Sequence, residues 1–158
     1  MDVEIRPHIG VGPFRLGMPF DEAMEIARSL ARVSHRPGAE QPPGKYVVNF
    51  DDSGFQYVLS FPEAGTLTSV ELWRFQEEAA DIHVTFDKLD VFRTPSEELV
   101  ERLEERGHAV SYDDDLGIHA LPELKMSFAN NSSFEYPVDE EGDPLYFDYV
   151  LVSTEMVV

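Results

Sequence analysis

Two stretches of the chain share one pattern, and this shared pattern restricts the possible folds more than any other feature of the sequence. The first stretch runs from Gly12 to Leu30, and the second runs from Asp87 to Leu103. The alignment that places Leu16 on Leu89 also matches Met18 with Val91, Asp21 with Thr94, Ile26 with Leu99, Ala27 with Val100 and Leu30 with Leu103. We therefore expect the chain to contain two copies of one structural unit.

Each copy predicts a helix that begins just after a residue able to cap it. The side-chain oxygen of Asp21 or Thr94 can accept hydrogen bonds from the free amides of a first helical turn. The segment from Thr94 to Glu97 reads as a capping box with proline at the first helical position. We expect helices at about 21 to 31 and 95 to 106, the second ending at Gly107. The residues expected in the core are Ile26, Leu30, Val70, Leu72, Leu99 and Leu103.

Strand patterns follow each predicted helix. After the first helix and an exposed loop at 36–44, alternating apolar residues predict strands at 46–50, 55–61 and 67–75. Turns at Gly54 and Gly65 favour an antiparallel meander. After the second helix the expected strands are 108–112, 117–121, 124–128, 133–136 and 145–153, the last corresponding to 67–75.

These elements predict an α+β fold made of two tandem α-β-β-β(-β) repeats. The first repeat would span 1–81 and the second 82–158, and together they would form one compact domain. The strands would form one or two antiparallel sheets with the helices on one face.

The charge of the chain limits its partners. Acidic residues number 31 and basic residues 12, which gives a formal net charge of -19. This field repels nucleic acid and anionic membrane surfaces and speeds encounter with a basic protein. The chain has no cysteine, and its first six residues lack the basic and apolar segments of a secretory signal. We therefore expect a cytoplasmic protein whose oligomeric state the sequence does not specify.

No motif in the sequence indicates catalysis, a cofactor or a metal. The five histidines are scattered without zinc-ligand spacing, and the acidic clusters at 51–52, 113–115 and 139–143 do not match a calcium-binding loop. The sequence also lacks the Gly-x-Ser-x-Gly motif of serine hydrolases and a phosphate-binding loop ending in Lys-Ser or Lys-Thr. The expectation is a protein without enzymatic activity.

The aromatic residues of the predicted strands suggest a contact surface. Val70 and Leu72 would face one side of their strand, and Glu71, Trp73 and Phe75 the other. If that other face is open, Trp73 and Phe75 are expected to anchor a protein partner, while Glu71 and Asp148 set a preference for positive charge. The alternative is that Trp73 belongs to the core.

The segment Leu16-Gly-Met-Pro-Phe-Asp-Glu-Ala resembles a helix opening of small bacterial domains of the β-lactamase-inhibitory-protein and outer-membrane-assembly-lipoprotein type. In the inhibitory-protein family such a unit occurs twice, and its strands form one concave sheet that grips a protein target. The second copy here lacks Gly-Met, and the chain has no disulfide cysteines. The resemblance therefore implies the fold but not the target.

The charge and size of the chain are also similar to those of acidic immunity proteins of bacterial toxin systems. The functional hypothesis is thus a non-catalytic acidic protein-binding module, such as an immunity protein or an inhibitor that neutralises a basic toxin or enzyme. The alternatives are a small-ligand-binding domain and, as the least favoured class, an enzyme of unrecognised type.

Overall fold

The computed structural model describes residues 1–36, 41–130 and 136–154 as a mixed α+β fold with two helices and two sheets. The helices are α1 (Phe20–Leu30) and α2 (Ser96–Glu105), and a short 3-10 helix covers Pro122–Leu124. The strands are β1 (Asp2–Arg6), β2 (Gly10–Val11), β3 (Phe14–Arg15), β4 (Arg32–Arg36), β5 (Gly44–Phe50), β6 (Phe55–Phe61), β7 (Ser69–Trp73), β8 (His83–Phe86), β9 (Leu89–Asp90), β10 (Ser111–Asp113), β11 (Ile118–Leu121), β12 (Met126–Ala129) and β13 (Tyr149–Ser153).

The larger sheet has eight strands, all antiparallel, in the order β10-β11-β12-β13-β7-β6-β5-β4. Its central neighbours are β7 and β13, which pair with Trp73 opposite Tyr149. The predicted meander of β5, β6 and β7 is confirmed, and Gly54 and Gly65 of its turns have positive φ angles of 81° and 77°.

The smaller sheet has five strands in the order β3-β2-β1-β8-β9. Its β1 and β8 run parallel, so the expectation of purely antiparallel sheets is wrong for this pair. A single hydrophobic cluster includes residues of both helices and both sheets. The two halves of the chain therefore share one core.

Tertiary hydrogen bonds, and not side-chain caps, fix where the helices begin. Pro19 and Pro95 occupy the N-cap positions without a capping bond, so the predicted caps Asp21 and Thr94 are wrong. The amide of Phe20 donates to the carbonyl of Gly65, and the amide of Ser96 donates to the carbonyl of Leu145, each at 2.9 Å. Carbonyl groups from distant loops thus accept the hydrogen bonds of first-turn amides that a capping side chain would otherwise accept.

The end of α2 at Gly107 is confirmed. Gly107 has a φ of 91°, and its amide donates to the carbonyl of Glu104, while the amide of His108 donates to the carbonyl of Leu103. These two bonds form a Schellman motif, which requires a left-handed residue that glycine adopts without steric cost.

Of the six residues predicted to lie in the core, four are fully buried, one is partly buried and one is exposed. Val70, Leu72, Leu99 and Leu103 are fully buried, and Ile26 is partly buried against the same cluster. Leu30 is 39% exposed, so its prediction is wrong. The buried stripe of α1 consists of Phe20, Ala23, Met24 and Ala27, and Leu30 falls outside it in the last turn.

Several strand bounds also differ from those expected from the sequence. Strand β4, which pairs with β5 at one edge of the large sheet, was not expected from the sequence. Only 149–153 of the expected strand 145–153 is a strand, because the preceding residues hydrogen-bond to α2 and to Asn130. Residues 37–40 of the predicted loop and 133–135 of a predicted strand lie outside the described residues.

Candidate functional site

The eight-stranded sheet presents two different faces. Val70 and Leu72 point to the core face, where the helices and the smaller sheet join them in the hydrophobic cluster. Alternation along the strands sends Glu71 and Trp73 to the opposite face, which we name the outer face. Within the described residues, the buried side chains of both helices belong to the core cluster. The outer face is therefore the face of this sheet that these helices leave without cover.

An aromatic pair lies at the centre of the outer face. Trp73 of β7 and Tyr149 of β13 are direct cross-strand partners, with ring centres 4.8 Å apart and planes inclined by 66°. This edge-to-face arrangement is a favoured geometry for aromatic rings. Both side chains are only partly buried. The pair thus offers rigid aromatic surface to solvent in the middle of the sheet.

A buried carboxylate adjoins the pair. Glu71 keeps only 9% of its side chain exposed, and its Oε2 atom accepts a hydrogen bond of 3.0 Å from Nζ of Lys45. Burial, followed by the negative charge of Glu71, raises the pKa of Tyr149. The Tyr149 phenol therefore stays protonated at neutral pH and can act as a hydrogen-bond donor.

A polar row extends from Trp73 toward the β4 edge. Gln56 stands beside Trp73 and donates to Oδ1 of Asn49 at 2.9 Å. Asn49 in turn donates to the carbonyl of Arg32 and to the hydroxyl of Ser34. Because these amides bond to one another and to the backbone, the row is held in one arrangement.

Small buried residues lie between these larger groups. Val47 and Val58 sit in the same transverse row as Glu71, and Ala129 sits beside Tyr149. All three are buried but lie outside the core cluster. The outer face thus combines small apolar side chains with a few oriented polar groups, which is the composition of many protein contact surfaces.

The structure places two of the four predicted contact residues on the outer face. Trp73 and Glu71 lie there as expected, with Trp73 partly exposed. The placement of Phe75 is wrong: it is fully buried in the core. Strand β7 ends at Trp73, so the alternation that would have sent Phe75 outward stops before it.

Asp148 is also misplaced by the sequence prediction. It is 5% exposed and precedes the first residue of β13. Its carbonyl accepts a hydrogen bond from the amide of Arg74, and its own amide donates to the carbonyl of Ala129. Because Tyr149 points to the outer face, its neighbour Asp148 has the opposite parity and does not share that face.

Tyr149 and Lys45 belong to this surface, but the sequence prediction did not select them as contact residues; Tyr149 counted only among the strand aromatics that could form the surface. Tyr149 carries a signal that could have found it, because it lies on a predicted strand equivalent to that of Trp73. Lys45 carries none, because its contact with Glu71 spans three strands and depends on the sheet order.

The described residues contain no group of three or more histidine, aspartate or glutamate side chains arranged to hold a metal ion. In the same part of the chain, no helix is both long enough and apolar enough to cross a membrane.

No protein-family model, curated protein or solved structure matches this chain.

Proposed function

We propose that the chain is a non-catalytic protein-binding module that uses its outer face to hold a basic protein. The observation that carries this proposal is the partly exposed pair of Trp73 and Tyr149 at the centre of a sheet face that the described helices leave bare. Large rings fixed by cross-strand packing lose little entropy on binding and are enriched among residues that dominate protein interfaces.

Charge supports a basic partner. The net charge of -19 creates a long-range field that attracts positive surfaces and accelerates their encounter. An immunity protein that neutralises a basic toxin, or an inhibitor of a basic enzyme, fits these properties. Such a role needs a rigid contact surface and no catalytic group of its own.

We also propose that the halves 1–81 and 82–158 are structural repeats. Two facts support this. Each helix is followed by four strands of the large sheet, β4 to β7 after α1 and β10 to β13 after α2. In each set the last strand lies at the centre of the sheet and the first strand lies at its edge. Superposing residues 12–75 on 85–152 tests the repeat. Different paths of the matched strands would contradict it.

The first test of the binding proposal is affinity capture from the native cell. Beads carrying the full chain should retain a basic protein that mass spectrometry identifies and that salt releases, because the attraction is electrostatic. Beads carrying Trp73→Ala should not retain it. A set of captured proteins identical for the two chains would contradict the outer-face assignment.

Trp73→Ala is expected to weaken binding of that partner by about 2 kcal/mol or more, which is about thirtyfold in Kd, because it removes the central aromatic anchor. Titration calorimetry with the purified partner measures this loss. Gln56→Ala is a matched control at the neighbouring position of the same row and should change Kd much less.

Thermal unfolding separates a contact residue from a core residue. Phe75→Ala removes a fully buried ring and should cost about 3 to 5 kcal/mol. Trp73→Ala should cost clearly less, because its ring is already partly in water. A fall in Tm of more than about ten degrees for Trp73→Ala would show that the ring acts as core, and the contact role would then fail.

A further inference from the structure

A second candidate site lies away from the outer face, in a cleft between α1, β4 and β5. The cleft has a volume of about 340 Å³ and is lined by Met24, Arg28, Val33, His35, Gln41 and Tyr46. This volume is within the range of pockets that bind small molecules. The lining combines two apolar side chains with four that can donate hydrogen bonds.

Tyr46 brings an unusual group to this cleft. The residue is 1% exposed, and its hydroxyl has no hydrogen-bond partner among the described residues. Its ring is held by edge-to-face contacts with Phe20 and Phe61 at 4.9 and 5.7 Å, so the side chain cannot easily turn to find a partner. A buried hydroxyl without a partner lowers stability, and native proteins rarely retain one without a reason.

Arg28 brings a positive charge to the lining of the cleft. Arg28 takes part in none of the ion pairs of the described residues. Most other arginines of the chain, such as Arg15 and Arg32, are paired with a carboxylate. In a chain with 31 acidic residues, Arg28 therefore stands out as an arginine with no carboxylate partner among the described residues, and it lines the cleft together with His35.

We propose that this cleft binds a small carboxylate with an apolar body. The guanidinium of Arg28 matches a carboxylate in bidentate geometry, and the Tyr46 hydroxyl donates a further hydrogen bond to the bound ligand. Met24 and Val33 contact the apolar part. Burial raises the pKa of Tyr46, which keeps its hydroxyl protonated as a donor. This site does not depend on the proposed protein contact, because Tyr46 belongs to the core cluster on the opposite face of the sheet.

Benzoate is a suitable probe, with neutral benzamide and inorganic phosphate as comparisons. In the ¹⁵N-labelled protein, benzoate should cause saturable amide shifts at residues 33–35 and 46. Benzamide lacks the charge and phosphate lacks the apolar body, so each should bind at least tenfold more weakly. No saturable shift with benzoate, or equal binding of phosphate, would overturn the proposal.

Two variants locate the binding groups. Arg28→Gln and Tyr46→Phe should each weaken benzoate binding about tenfold, while Arg102→Gln, an exposed arginine on α2, should leave it unchanged. Tyr46→Phe should at the same time raise the Tm of the free protein, since it removes a buried hydroxyl that has no partner. A lower Tm, or unchanged benzoate affinity, would show that the hydroxyl has only a structural role. Partner capture through Trp73 should be unaffected by either variant.

Discussion

Arg74→Ala is expected to lower the free energy of unfolding by about 4 kcal/mol, among the largest effects of any single substitution in this chain. Arg74 is 1% exposed, although arginine is rarely buried. Its Nη1 and Nη2 atoms donate to the two carboxylate oxygens of Glu78, and its Nε donates to the carbonyl of Phe92 at 2.9 Å. The hydrogen bonds from Arg74 hold the pKa of Glu78 below its usual value, so the pair is charged at neutral pH.

The surroundings of Arg74 explain why its loss should be costly. Its guanidinium lies 4.5 Å from the ring centre of Phe75 and 4.7 Å from that of Tyr146. The hydroxyl of Tyr136 also donates to the backbone carbonyl of Arg74. Alanine would keep the backbone bonds of Arg74 but would leave a cavity among these rings and would remove the contact of the guanidinium with Tyr146, which precedes β13.

Arg102→Ala is the matched control. Arg102 also pairs with a glutamate four residues away, Glu98, but each side chain is 50% exposed. Its removal should cost less than about 1 kcal/mol, because water screens an exposed pair. Urea unfolding of both variants measures the difference. Equal losses would mean that the Arg74 cluster contributes no more than a surface ion pair.

Gly10→Ala is expected to cost about 3 kcal/mol through direct overlap with the backbone. Gly10 pairs with Arg15 in the β2–β3 hairpin. A Cβ atom added there would lie 2.1 Å from the carbonyl oxygen of Phe14 and 2.9 Å from Cα of Arg15. Backbone atoms cannot rotate away as a side chain can, so the hairpin would have to open, and the buried residues Val11 and Phe14 would lose their packing.

Gly117→Ala is the control that distinguishes the cost of steric overlap from the cost of backbone strain at a glycine with positive φ. Gly117 has a φ of 66°, and a Cβ atom added there would meet nothing within 4 Å. Its replacement should cost only about 1 kcal/mol of backbone strain. Chemical denaturation ranks the two variants. A Gly10→Ala protein as stable as Gly117→Ala would show that the hairpin yields without penalty.

Local patterns in the sequence predicted local structure well. The alternation of 55–61 gave β6 with its observed bounds, and Gly107 marked the end of α2. These features depend on neighbouring residues alone. The helix starts were predicted to within one residue, but the predicted caps Asp21 and Thr94 were wrong, because the amides of Phe20 and Ser96 bond to carbonyls that are distant in sequence.

The sequence predicted the residues of the candidate site only where alternation along a strand correctly assigned each side chain to one face of the sheet. Trp73 and Glu71 follow from alternation within β7. Phe75 was misplaced because alternation holds only inside a strand, and β7 ends at Trp73. Asp148 was misplaced because it adjoins Tyr149, which takes the outer face, so alternation places Asp148 away from that face. The cleft around Tyr46 had no signal in the sequence, since α1, β4 and β5 form it only after folding.

The pairing of β7 with β13 also determines when the large sheet can be completed. These central neighbours are far apart in the sequence, and β13 comes last among the strands of the described residues. Until β13 leaves the ribosome, β7 is an unpaired sheet edge with free backbone groups next to Trp73. Such an edge can pair with other chains, and long-range antiparallel pairing of this kind slows folding. The centre of the finished sheet is therefore an exposed edge of the unfinished chain, open to pairing with other chains.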